Sequence, residues 1–240
     1  MAKSVKLIIL DLDNTIAESN RPVSYRAVRW MKWVEKRGVR IALASGKPIA
    51  YLAGLARQIG LKGPILAGEN GALIHYTANF PPEKIVRPSA VVSDAMDTTR
   101  SLRSKVVSRF GDRIWVQPNE YNLTLFFDTQ DTLKELRDFF AVELSKDGAG
   151  KMQVYCHVDS IELIPASVNK GVALREIMRM EKLVPTQVIA VGDGENDIPM
   201  FREAGSSIGI RMDGGTHRFE SISRAMTFLT GVLESGSRGG

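Results

Sequence analysis

An apolar run, Val5-Lys6-Leu7-Ile8-Ile9-Leu10, stops abruptly at Asp11-Leu12-Asp13-Asn14-Thr15. A branched run this short fits a buried parallel strand and is far too short to span a membrane. The pairing of apolar run and polar turn recurs. Val39-Arg40-Ile41-Ala42-Leu43 leads into Ala44-Ser45-Gly46-Lys47, and Val188-Ile189-Ala190-Val191 leads into Gly192-Asp193-Gly194-Glu195-Asn196-Asp197. A fourth polar segment, Asn169-Lys170-Gly171, opens an amphipathic stretch through Val172, Leu174, Ile177 and Met178. Strand candidates that alternate with helix candidates predict an α/β fold with a doubly wound parallel sheet, whose ligands bind outside the carboxyl ends of its strands. The four polar segments are therefore expected at one sheet edge.

Residues two apart on an extended chain point the same way, so Asp11 and Asp13 are expected to face one site. Two carboxylates that close repel unless a cation or a hydrogen-bond network compensates them, and oxygen ligands favour a hard ion, most simply Mg²⁺. A carboxylate beside such an ion can attack phosphorus, while a second protonates the leaving oxygen and later activates water. Ser45 and Gly46 offer a hydroxyl and free backbone N–H groups suited to a phosphoryl oxygen. Lys170 would neutralise charge on a transferring phosphoryl group. Asp193 reads as a direct metal ligand, and Asp197 as a ligand or its support.

Each segment has a plainer reading when taken alone. Asp-x-Asp-Asn also forms Asx turns, Ser45 and Pro48 suit an ordinary helix start, and a lysine at a helix start is usually solvated. Lys170 also lies at the unfavourable end of the helix dipole. Acids near Asp197 are common at helix N-termini. Some motifs are excluded outright. Thr15 and Ile16 break an EF-hand loop, Ile41 and Pro48 break a P-loop, and Asp197 replaces the third glycine of a dinucleotide fingerprint.

In order and residue type the four segments together resemble the haloacid dehalogenase superfamily of hydrolases, over nearly the whole chain. The likeness is to its capped sugar-phosphatase-like branch, near the archaeal phosphoglycolate phosphatases. That resemblance implies Asp11 as nucleophile, Asp13 as acid/base and backbone metal ligand, and Ser45 as the phosphoryl-binding hydroxyl. It implies Lys170 and Asn196 as phosphate-binding groups and Asp193 and Asp197 as metal-site acids. Glu69-Asn70-Gly71-Ala72 resembles a further loop near the substrate, although Asn70-Gly71 also suits a plain turn. The expected reaction is Mg²⁺-dependent hydrolysis of a small phosphorylated metabolite through a phospho-aspartate, with a phosphomutase or a non-catalytic phosphometabolite-binding module as alternatives. Two departures stand out. Asn14 occupies a position where many relatives have glycine, and Ile210-Arg211-Met212-Asp213-Gly214-Gly215 replaces a pattern of smaller residues.

Domain organisation is read from punctuation. A helix from about Ser24 to Arg37 is expected to stop at Gly38, and another to end near Gly60. Pro81-Pro82 and Pro88 then break the alternation, which resumes after Pro165. Residues 1–81 and 164–240 are expected to form a discontinuous Rossmann-like core, and residues 82–163 an inserted α+β cap. The cap order reads helix, strand, strand, helix, strand, strand, with Tyr121–Phe127 as its second strand. Ser235–Gly240 reads as a flexible tail.

At 240 residues and 44% hydrophobic content, the chain can bury a substantial core. No stretch reaches membrane-spanning length, and the single cysteine, Cys156, is expected as a small core residue in a cytoplasmic protein. His75, His157 and His217 lack zinc-motif spacing. The net charge of +5 comes from 32 basic and 27 acidic residues. These are dispersed. Arg100, Arg103, Lys105 and Arg109 spread over more than one helix face without interleaved aromatics, so neither a nucleic acid nor a membrane is expected as partner.

Overall fold

The computed structural model describes residues 5–88, 93–147 and 151–236. The chain divides into two compact units, one of Met1–Pro88 with Asn169–Gly240 and one of Ser89–Val168.

The first unit begins with β1 (Leu7–Asp11), α1 (Tyr25–Lys36), β2 (Arg40–Ala44), α2 (Ile49–Ile59), β3 (Ile65–Gly68), β4 (Leu73–Tyr76) and β5 (Lys84–Val86). Among the described residues these contribute to an eight-stranded sheet in the order β12-β11-β10-β1-β2-β3-β4-β5. Strands β12 to β3 run parallel, and β4 and β5 add an antiparallel edge. The later members are β10 (Val188–Gly192), β11 (Ser206–Ile210) and β12 (His217–Phe219), interleaved with α5 (Lys170–Glu181), α6 (Ile198–Glu203) and α7 (Ile222–Gly236). From β1 the chain winds outward through β2 and β3, and on its return it winds the other way through β10 and β11. The β1/β10 boundary is therefore the switch point, where a crevice opens at the carboxyl ends.

Strand alternation sorts the core into two layers. Ile8 and Leu10 pack with α1, α2 and α7, whereas Leu7 and Ile9 pack with α5 and α6. All four are fully buried, and each such side chain is worth about 1.5–3 kcal/mol when removed from water. Helix α1 forms because Ala27, Trp30, Met31 and Val34 make one buried stripe and Ser24 caps it, its hydroxyl accepting from Ala27 N at 3.2 Å. Gly38 follows with φ of 74°, a left-handed turn that costs glycine little.

The second unit holds α3 (Ser93–Phe110), β6 (Ile114–Val116), β7 (Leu123–Phe127), α4 (Gln130–Asp147), β8 (Met152–Cys156) and β9 (Ser160–Pro165). Its antiparallel sheet runs β6-β7-β9-β8, and one face packs Leu123, Leu125, Ile161 and Leu163 against Val106, Phe110, Leu136 and Phe140. Pro165 ends β9, so the chain leaves this unit a few residues after that proline.

One expectation changes. Cys156 is exposed rather than buried, because it ends β8, whose alternate residues are open to solvent. Asn14 has φ of 57°. The usual glycine is replaced here by a residue that tolerates left-handed backbone, and its Oδ1 accepts from Ser19 N at 3.2 Å. Arg103 is half-buried and donates to the Asn119 carbonyl at 2.5 Å, while Lys105 pairs with Glu143. Of the expected tail, residues 237–240 lie outside the described residues, and Ser235 and Gly236 close α7. No helix among the described residues is long and apolar enough to cross a membrane.

Candidate active site

Register places the polar turns together. Leu10 stands opposite Val191, and Asp11 opposite Ala44, so the residues that follow β1, β2 and β10 share one edge. Asp11 continues the odd-numbered face of β1 and therefore points to the side covered by α5. Lys170 is the first residue of α5, with Asn169 as N-cap accepting from Val172 N at 3.0 Å. Its ammonium donates to Asp11 Oδ1 and, at 2.6 Å, to Asp197 Oδ1. Lys170 is 1% exposed. The usual fate of a lysine at a helix start is reversed here because two buried carboxylates face it.

Asp11, Asp193 and Asp197 each present an oxygen within 4.8 Å of the others. Asp193 is held by Thr15, whose hydroxyl donates to Asp193 Oδ1 at 2.9 Å. Asp197 Oδ2 accepts from the backbone N–H groups of Asp193 and Gly194 at 2.9 and 3.0 Å. Asp197 thus belongs to the cluster and also pins the loop that carries Asp193. Asp13 stands apart from the three. Its carboxylate pairs with Lys47, Nζ to Oδ2 at 3.4 Å.

The second strand's turn is equally ordered. Ser45 N donates to Ala67 O and Ser45 O accepts from Asn70 N, at 3.0 and 2.9 Å. Asn70 is buried with φ of 56°, and its Oδ1 accepts from Asn196 Nδ2 at 3.4 Å. This brings the Glu69–Gly71 loop to the loop after β10. Gly46 follows Ser45 in the same turn, and Lys47 N donates to Ser45 Oγ at 3.2 Å. Arg211 reaches the first turn, donating to Asn14 O at 3.2 Å, whereas Asp213 pairs with Arg218.

Burial holds the Asp11 carboxyl up to about 8, against the pull of Lys170 and with a further push from Asp197. Asp193 is raised for the same first reason, burial, opposed by the Thr15 hydrogen bond. Burial disfavours the Lys170 ammonium, yet Asp11 and Asp197 outweigh it and raise the group above its ordinary value. With one ammonium among three carboxylates, full ionisation would leave negative charge unbalanced. A cation relieves that, and an all-oxygen donor set suits a hard one.

Thr15 and Lys47 received no role from the sequence. A threonine four residues after Asp11 carries no periodic signal, and its partner Asp193 is 178 positions away. Gly192 shows how tightly the loop is built. A Cβ there would lie 2.3 Å from the Asp197 carboxyl, which cannot swing aside while Lys170 and two N–H groups hold it. Gly192→Ala is expected to cost about 1–3 kcal/mol by overpacking, read as a lower urea midpoint. An unchanged midpoint would show that Asp197 is free to move.

A model of the haloacid dehalogenase-like hydrolase family matches residues 8–139 and 112–228. A phosphoglycolate phosphatase of Metallosphaera sedula is 30% identical over 234 residues, 96% of this chain and 96% of the relative. One of Methanopyrus kandleri is 27% identical over 95% of this chain and 97% of its own. Among solved structures, a Thermoplasma acidophilum protein superposes with a TM-score of 0.73 at 18% identity, covering 97% of this chain and 99% of that one. A haloacid dehalogenase-like hydrolase from Bacteroides thetaiotaomicron gives 0.69 at 20% identity, covering 94% and 100%.

Proposed function

This chain belongs to the haloacid dehalogenase-like hydrolases, and from that premise we propose that it is a Mg²⁺-dependent phosphatase of a small phosphomonoester, of the phosphoglycolate or sugar-phosphate type. The observation that carries the reading is the buried Lys170 ammonium shared by Asp11 and Asp197 beside Asp193, at the sheet's switch point. The names of the phosphoglycolate phosphatase relatives support the substrate class.

Asp11, the backbone of Asp13, and Asp193 would hold the ion, with Asp197 completing the acidic cluster and bracing the loop. When bound, Mg²⁺ neutralises these carboxylates and draws charge from the phosphoryl oxygens. An Asp11 oxygen forms the new bond to phosphorus as the ester P–O bond breaks, and Asp13 gives its proton to the departing oxygen. Water then attacks phosphorus, passing a proton to Asp13, and the bond to Asp11 breaks to release phosphate. Lys170 holds Asp11 in line and offsets charge on the phosphoryl group, while Ser45, Gly46, Asn70 and Asn196 bind its oxygens. The Ser89–Val168 unit serves as the cap and selects the leaving group.

The test is phosphate release from a panel of small phosphomonoesters, including phosphoglycolate and sugar phosphates, with Mg²⁺ and with chelator. Release that requires Mg²⁺ is expected; the absence of release from every ester defeats the reading.

Ion binding should depend on pH in a defined direction. Asp11 and Asp193 retain protons above the ordinary carboxylate range, and Mg²⁺ must displace them. Affinity should therefore strengthen as pH rises toward about 8 and level off above it. The metal-free fold behaves oppositely. A folded pKa raised from 3.8 to about 8 contributes stability below 3.8 that is lost as pH rises through about 8. The Mg²⁺-induced rise in Tm should thus be larger at about pH 8.5 than at about pH 5.5. A rise that is equal at both would remove the proton competition.

A further inference from the structure

Asp13 differs from the other acids of the site in how it is held. Asp11, Asp193 and Asp197 are each engaged by hydrogen bonds from Lys170, Thr15 or backbone N–H groups. Among the described residues, the side chain that engages the Asp13 carboxylate is that of Lys47, at 3.4 Å. The Lys47 backbone is tied at both ends. Its N–H donates to Ser45 Oγ at 3.2 Å, and its carbonyl accepts from Glu69 N at 3.0 Å. Pro48 follows as the N-cap of α2, so Lys47 places its charge beside the positive end of a helix dipole. That is a poor position for a lysine on stability grounds, and the Asp13 pairing works against that cost. With side chains 25% and 34% exposed, the pair adds little to folding.

We propose that Lys47 is the positioning residue for Asp13, aiming its carboxyl at the leaving oxygen. The assignment rests on the phosphatase reading, in which Asp13 gives its proton as the ester bond breaks. It has a consequence that a structural or phosphate-binding lysine would not share. An alkyl leaving group needs that proton, whereas p-nitrophenolate departs readily without it, so loss of aim should penalise alkyl esters selectively.

The experiment measures kcat/KM, which reports the first phosphoryl transfer, for phosphoglycolate and for p-nitrophenyl phosphate in the wild type, Lys47→Met and Lys47→Arg. Misplacing a catalytic group by an ångström costs on the order of 10²-fold. Lys47→Met should lose about 30- to 100-fold on phosphoglycolate, at least about tenfold more than it loses on the aryl ester. Lys47→Arg should recover most of the alkyl activity. Circular dichroism and Tm establish that both variants are folded, as the exposed pair predicts. Equal losses on both esters, or no loss on the alkyl ester, overturn the positioning role while leaving the phosphatase reading intact. A wild type that releases phosphate from neither of these nor from any other ester of the panel overturns both.

Discussion

Asp11→Asn should abolish phosphate release, by at least about 10³-fold, while leaving the fold in place. The amide has nearly the shape of the carboxylate but cannot form the bond to phosphorus. The substitution also removes a charge from a buried site. In the native chain burial holds the Asp11 carboxyl up to about 8, so at pH above that value the ionised group weighs against folding of the metal-free protein. Asn at this position should therefore leave the metal-free Tm equal or higher at alkaline pH. The pairing of lost turnover with retained or raised stability is the diagnostic. If Asp11→Asn keeps a tenth or more of the activity, the nucleophile lies elsewhere.

Lys170→Met should have the largest effect on stability. The methionine fills similar volume, but Asp11 and Asp197 lose the ammonium that serves both, and the described site retains carboxylates without their buried counter-charge. Breaking a buried ion pair from one side costs about 3–5 kcal/mol. The sign of its pH dependence follows from Asp11. At low pH that carboxyl takes up a proton and needs no counter-charge, so the loss should shrink toward about pH 5 and be greatest near about pH 8.5. Saturating Mg²⁺ should restore part of it by supplying another positive charge. Activity should fall by at least about 10²-fold, the scale of removing one fixed donor to a transition state. Urea unfolding in chelator at the two pH values reads the first effect and phosphate release the second. A variant whose urea midpoint matches wild type at about pH 8.5 would mean the two carboxylates are balanced by something other than Lys170.

The candidate site was legible in the sequence where its residues follow strand periodicity. Leu7 to Asp11 read as a strand ending in an acid, and alternation alone assigns Asp11 to one sheet face. The apolar runs before Ser45 and Asp193 have the same property, as does the helical stripe after Lys170. Each is a local pattern whose cause is burial on one face or two. The helix–strand–strand–helix–strand–strand order of the second unit was legible for the same reason.

Other features have no local cause. Arg211, which reaches the Asn14 carbonyl, is 197 positions away from it. Cys156 is small and apolar enough for a core, but its place at the end of β8 leaves it exposed. Thr15 on Asp193, Asn196 on Asn70, and Lys47 on Asp13 are all partnerships between separate loops.

The amino-acid sequence by itself determined the α/β class, the strands that end in polar turns and the identity of the acids, because hydrophobic periodicity and residue type are properties of neighbours. Only the tertiary structure decided that Lys170 is buried between Asp11 and Asp197, that Asp197 braces the loop of Asp193, and that Asp13 pairs with Lys47. Those depend on strand register and on which helix covers which face of the sheet, and burial and charge at a crevice arise only when segments far apart in the chain are brought to one edge.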